Sequence, residues 1–137
     1  MIVGIGCDLV DIRRIEAMLK RFDGRATARL FTVLETERAA VSPHPASSYA
    51  KRFAAKEAFA KALGTGIAQG LTWRDVEVAQ GPGGKPLLNL SDQAWGMLLG
   101  KDPEFSKEKI QLDLSLSDEY PYAQAFVIIS RKQTVHG

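Results

Sequence analysis

Three carboxylates in this 137-residue chain fall where a negative charge is costly. Asp8 closes the apolar run Ile2-Val3-Gly4-Ile5-Gly6-Cys7. Glu57 lies within an alanine-rich stretch free of glycine and proline, and Asp118 closes the alternating run from Ile110 to Ser117. A carboxylate pressed among apolar side chains must be compensated by a cation or by hydrogen bonds. Two or three together, with coordination positions left open, suit a hard divalent cation such as magnesium, completed by water and a substrate phosphate. Phe53, Glu57 and Lys61 follow at four-residue spacing and share a helix face, as do Arg52 and Lys56. That row sets an apolar contact, a carboxylate and an ammonium one turn apart. It suits a pyrophosphate with two oxygens neutralised by magnesium and a third by the lysine.

Each residue also has a plainer reading. Glu57 and Lys61 stand in the favourable order for a salt bridge along a helix. Asp8 lies near Asp11, where a helix cap is needed. Gly64-Thr65-Gly66 lets backbone approach a phosphate, yet it also reads as an ordinary helix stop, and the helix dipole there repels anions. Cys7 reads as a small core residue, and Trp73 and Trp95 as core rather than ligand-stacking residues. No Walker loop or dinucleotide fingerprint is present. His44 and His136 fall in loop and tail contexts without metal-ligand spacing, which weighs against a Ser-His-Asp hydrolase.

Composition narrows the classes. With 45% hydrophobic and 25% charged residues the chain is globular, and its length fits a single domain over 1–137. One cysteine excludes an internal disulfide framework and a cysteine-rich zinc site. No apolar run is long enough to span a membrane, and the N-terminus meets Asp8 without a basic region, so a cytoplasmic protein without a signal peptide is expected. The net charge of +2 does not demand a polyanion. Between Arg13 and Arg29, however, Arg13, Arg14, Lys20, Arg21, Arg25 and Arg29 face only Glu16 and Asp23, a local excess of four. That segment is either a solvated helix face or a docking face for an acidic partner.

The elements that must carry these residues follow from patterning. Ile2, Val3 and Ile5 predict a short buried strand with Asp8 at or just past its end. Asp11 predicts the cap of a helix carrying Ile12, Ile15, Ala17, Met18 and Leu19, with Gly24 as its stop. Thr32-x-x-Glu35 predicts a capping box and a second helix through Ala40, broken by Ser42-Pro43-His44-Pro45. Ala46–Leu63 is the clearest helix, closed by Gly64. Trp73–Ala79 and Leu87–Leu90 flank the turn Gly81–Pro86 as a hairpin. Ser91 or Asp92 caps a helix through Leu99, and 100–109 is a loop. Ile110–Ser117 alternates as a half-buried strand, 118–121 turns, and Ala123–Ser130 is a nearly continuous apolar strand placed centrally. The fold class expected is α+β, a mostly antiparallel sheet packed on one long helix.

At this level of detail the chain resembles a known family. Gly4-Ile5-Gly6-Cys7-Asp8-Leu9-Val10-Asp11-Ile12, with Arg14-Ile15, is similar to the opening motif of the bacterial holo-[acyl-carrier-protein] synthases, the short 4'-phosphopantetheinyl transferases. Residues 52–67, Arg-Phe-Ala-Ala-Lys-Glu-Ala-Phe-Ala-Lys-Ala-Leu-Gly-Thr-Gly-Ile, resemble their most specific motif. Asp75-Val76-Glu77-Val78 before Gly84-Lys85-Pro86 resembles the third, and Leu114-Ser115-Leu116-Ser117 with Ala123–Ile129 the closing strand pair. The resemblance implies the 4'-phosphopantetheinyl transferase fold and transfer of 4'-phosphopantetheine from coenzyme A to a serine of apo-acyl carrier protein. The second product would be adenosine 3',5'-bisphosphate, and the setting fatty acid biosynthesis. It implies Asp8 and Glu57 as magnesium ligands, Glu57 and Lys61 as the catalytic pair, and Arg52, Lys56, Lys61, Gly64 and Lys85 at coenzyme A. Arg14, Met18, Arg21, Phe22 and Phe53 would dock the acidic carrier helix. The family is trimeric, with each active site at a seam between subunits. Where its members usually carry a histidine this chain has Asp118, which we expect to reach the magnesium through water.

The mechanism expected is phosphoryl transfer by positioning and charge neutralisation, with in-line attack by the carrier serine and its proton leaving through a water held by Glu57. The residues by themselves leave a second reading open, a non-catalytic basic module that binds an acidic protein or RNA. Low overall charge and the lack of interleaved basic and aromatic residues disfavour the nucleic-acid branch.

Overall fold

The computed structural model describes residues 1–22 and 24–133, Phe22 by its backbone alone. Strand β1 (Ile2–Asp11) leads directly into helix α1 (Ile12–Phe22), followed by α2 (Arg25–Leu30), α3 (Val33–Ala40) and the long α4 (Pro45–Leu63). A hairpin of β2 (Val76–Gln80) and β3 (Pro86–Leu90) comes next. Then follow α5 (Asp92–Leu99) and the strand pair β4 (Ile110–Glu119) and β5 (Tyr122–Arg131). β1, β5 and β4 form an antiparallel sheet with β5 in the centre, and the hairpin forms a second small sheet. The expected α+β arrangement of antiparallel strands on one long helix is what forms.

Helix α4 is covered around most of its circumference. Ala50, Ala54, Ala55, Ala58, Phe59, Ala60 and Leu63 are all buried, because the sheet, the hairpin and the shorter helices surround it. Its many alanines set how close β1 can come. A Cβ on Gly4 would lie 2.0 Å from the Ala62 carbonyl oxygen, and one on Gly6 1.7 Å from that of Ala58. The glycines of the opening motif therefore let strand and helix touch backbone to backbone. Residues 4, 6 and 8 thus face α4. Ile5, Cys7 and Leu9, in register with Ile128, Phe126 and Gln124, face away.

Local signals hold at most caps. Asp11 Oδ1 accepts from the Arg13 amide at 3.0 Å, Thr32 and Glu35 form a complete capping box, and Ser91 accepts from the Ala94 amide. Gly64 takes the left-handed conformation at φ 90°, which closes α4. The differences are instructive. Asp8 does not end its strand: β1 continues to Asp11, and Asp8 sits opposite Ala125. β4 likewise runs on through Asp118 to Glu119, because the chain reverses within two residues at Tyr120-Pro121. The hairpin begins at Val76, since Asp75 turns back to accept from Thr72 and Ser91. The six-residue α2 has no sequence signature, with Leu30 its single buried residue. Cys7 is half-buried on the outward sheet face rather than in the core. Trp73 and Trp95 are partly buried against the core. His44 stands at the N-terminal boundary of α4 without capping it, and His136 lies outside the described residues.

Candidate active site

β1 and α4 bring Asp8, Glu57 and Lys61 together across the seam that the glycines open. The Lys61 ammonium donates to Asp8 Oδ1 at 2.8 Å and to the Cys7 carbonyl at 3.0 Å. The lysine therefore crosses to the strand instead of pairing along its helix with Glu57. Burial raises the Glu57 carboxyl above its ordinary range. The Asp8 charge raises it further, and Lys61 opposes the rise. The Lys61 ammonium is held above its usual range, chiefly by its hydrogen bond to Asp8. Asp8 is thus too far into its strand to cap α1, and Asp11 performs that role.

The donor set fits a small divalent cation. Asp8, whose charge reaches Glu57, and the Cys7 carbonyl beside it offer hard oxygens with Glu57, and the lysine ammonium already stands in for a cation there. Among the described residues no cluster of three His, Cys, Asp or Glu side chains converges, so water and substrate would have to complete the coordination sphere.

Arg52 and Lys56 part company from Lys61. Lys56 is fully buried and does not reach a substrate surface, which corrects its expected place at coenzyme A. Its ammonium donates to Glu35 Oε1 at 2.7 Å, to the Trp73 carbonyl at 2.9 Å and to the Val76 carbonyl. Burial lowers its pKa, and Glu35 opposes that shift. Glu35 in turn accepts from the amides of Thr32 and Val78, so one buried ion pair ties α3, α4 and the hairpin. The capping box was legible in sequence, but this second duty of Glu35 was not. Arg52 is 9% exposed and donates to the Ser48 carbonyl and hydroxyl, while its Nε has no partner. With Arg38, Lys51, Ser42 and Gln80 it lines a cavity of about 300 Å³. Arg38, on α3, is a basic neighbour that spacing along α4 could not single out.

Asp118 pairs with Lys51 at 3.1 Å. It shares the α4-facing side of the sheet with Asp8 but lies two strands away, on β4. The expectation that it approaches the same cation is not met within this chain. Lys85 sits at the hairpin turn beside a cavity of about 190 Å³ lined by the hairpin and β4, away from β1 and α4. Gly64 caps α4 one turn beyond Lys61.

The basic segment forms a surface of its own. Arg14 and Arg21 are exposed, and Arg13 is bound to Asp11 through two side-chain hydrogen bonds. Met18, Arg25, Ala26, Arg29, Leu30 and Trp73 line a cavity of about 410 Å³, and Phe53 stacks on Trp73 with ring centroids 4.7 Å apart. The side chain of Phe22 lies outside the described residues. Arg25, Arg29 and Trp73 join Met18 only in three dimensions.

Comparison with known proteins identifies the family. Residues 4–125 match the family model of the 4'-phosphopantetheinyl transferase superfamily. The holo-[acyl-carrier-protein] synthase of Bartonella henselae is 51% identical over 129 residues, 94% of this chain and 96% of the relative, and that of Azorhizobium caulinodans is 52% identical over 130 residues, covering 95% and 94%. Among solved structures, the Neisseria meningitidis enzyme superposes with a TM-score of 0.80 at 36% identity, covering 96% of this chain and all of that one. The Helicobacter pylori enzyme, solved in complex with coenzyme A, superposes at 0.77 with 33% identity, covering 92% and 99%. The chain belongs to the 4'-phosphopantetheinyl transferase superfamily, as a transferase with that fold. Within the superfamily it falls in the holo-[acyl-carrier-protein] synthase family.

Proposed function

We propose that this chain transfers 4'-phosphopantetheine from coenzyme A to a serine hydroxyl of apo-acyl carrier protein, releasing adenosine 3',5'-bisphosphate and serving fatty acid biosynthesis in the cytoplasm. The observation that carries this reading is the meeting of Asp8, Glu57 and Lys61 at the β1–α4 seam in a chain of this family. Asp8 and Glu57 would hold magnesium, which would supply positive charge for a diphosphate. Lys61 neutralises the charge that grows on the leaving phosphate as its bond to the transferred phosphorus breaks. The serine proton leaves through a water held by Glu57, whose carboxyl burial raises above its ordinary range, so that its carboxylate is a stronger base. Arg52, Arg38 and Lys51, which line one cavity, support a phosphate contact there. Arg14, Arg21 and the Met18–Phe53–Trp73 surface suit an acidic helix with apolar anchors, with Phe22 beside them in sequence.

The outward face of the sheet supports assembly. Ile5 and Leu9 are each 60% exposed and adjoin Phe126 and Ile128, an apolar strip that a homotrimer would cover. A neighbour would then bring its Lys85 turn to the coenzyme A pocket. The test is incubation with coenzyme A, magnesium and apo-carrier protein followed by intact mass. Gain of one phosphopantetheine is expected, and an unchanged carrier mass would refute the assignment.

A further inference from the structure

The Lys61 ammonium stands on the very oxygens that a divalent cation needs, since its contacts are Asp8 Oδ1 and the Cys7 carbonyl. A second cation on Asp8 would be repelled by an ammonium bonded there at 2.8 Å. Lys61 can leave, however. Its side chain is about half exposed and its four-carbon stem is free to swing, while Asp8 is largely covered and held in β1. The backbone contacts of Gly4 and Gly6 with α4 keep helix and strand fixed, so rotation of one side chain suffices for the exchange.

We propose that Lys61 is a placeholder cation: it occupies Asp8 in the free enzyme, and a bound divalent ion drives it onto the substrate diphosphate. The proposal rests on the magnesium-site reading above and adds an order to it. Lys61 loses its carboxylate partner when the divalent ion binds and regains an anionic partner when the diphosphate arrives. Each ligand therefore lowers the cost of admitting the other, and the coupling is reciprocal. An enzyme with empty sites keeps Asp8 neutralised without a metal.

The experiment measures Mn2+ binding to the full chain by calorimetry and by the electron paramagnetic resonance of free Mn2+, without and with saturating coenzyme A. Wild type is compared with Lys61→Met and with Lys101→Met, which removes an equal charge beside Gly64 at the end of the same helix. Without coenzyme A, Lys61→Met should bind Mn2+ about two- to fivefold more tightly than wild type, the range that a partly exposed ion pair supports. Lys101→Met should not change. With coenzyme A, the tightening of Mn2+ seen in wild type should shrink in Lys61→Met. Equal or weaker Mn2+ binding by Lys61→Met in the free enzyme overturns the exchange, and so does equal tightening by Lys101→Met. If wild type binds no Mn2+, the metal site and the exchange fall together. Carrier mass on the same samples then reports separately whether transfer stands.

Discussion

Gly6→Ala is the most direct probe of how the seam is built. The added methyl would lie 1.7 Å from the Ala58 carbonyl oxygen, 2.7 Å from its carbon and 2.9 Å from the Ala62 nitrogen, all backbone atoms that no rotamer change can move. To reach the 3.0 Å that real Cβ contacts respect, β1 must lift from α4 by at least 1.3 Å. Asp8 lies two residues further along the same face of β1, so it moves away from Glu57 and Lys61 by a similar distance. Overpacking of this kind costs about 1–3 kcal/mol, or roughly 4–12 °C in Tm for a chain of this size. A shift of about 1 Å between catalytic groups costs on the order of 100-fold in rate. The assay pairs thermal unfolding with phosphopantetheine transfer followed by intact mass. Gly96→Ala in α5, where an added Cβ meets no atom within 4 Å, is the control and should leave both unchanged or slightly improve Tm. A Gly6→Ala protein with wild-type Tm and wild-type transfer would show that close approach of β1 and α4 does not position this site.

Other outcomes follow from single contacts. Lys56→Met leaves Glu35 buried without its cation and should cost about 3–5 kcal/mol, read as the largest Tm loss among substitutions on α4. The double variant with Glu35→Leu should recover only part, because the amides of Thr32 and Val78 and the carbonyls of Trp73 and Val76 stay unpaired. Asp11 has its carboxyl lowered, chiefly by hydrogen bonding to Arg13, so its contribution is present above the ordinary carboxylate pKa and is lost as pH falls through the lowered value. Asp11→Ala should therefore lower Tm at neutral pH, with the difference shrinking on acidification, and a difference independent of pH would refute the assignment. Arg14→Glu and Phe53→Ala should raise KM for apo-carrier protein while leaving KM for coenzyme A within about twofold, since charge at an interface rim acts on association; parallel rises in both constants would remove these residues from the carrier surface.

Much of the molecule is decided over short stretches of chain. Caps at Asp11, Thr32, Ser91 and Gly64 depend on neighbours within three or four residues, and strict alternation from Ile110 to Ser117 needs only a sheet to pack on. Context marks Asp8, Glu57 and Asp118, and α4 periodicity puts Lys61 in line with Glu57, but it is the family resemblance that joins Asp8, Glu57 and Lys61 into one set. Which partner each takes was settled in three dimensions. Lys61 chooses Asp8, 53 residues away, over Glu57 one turn back, and Lys56 turns inward to Glu35, 21 residues away. Helical spacing says only which side chains lie on one face; what that face meets depends on how β1, α3 and the hairpin wrap α4. Asp118 likewise reads as one more carboxylate in the chain, but the register of β4 on β5 carries it two strands from Asp8 and hands it to Lys51. Charge is carried by residue type, whereas the distance between charges is a property of packing, and electrostatic roles depend on distance.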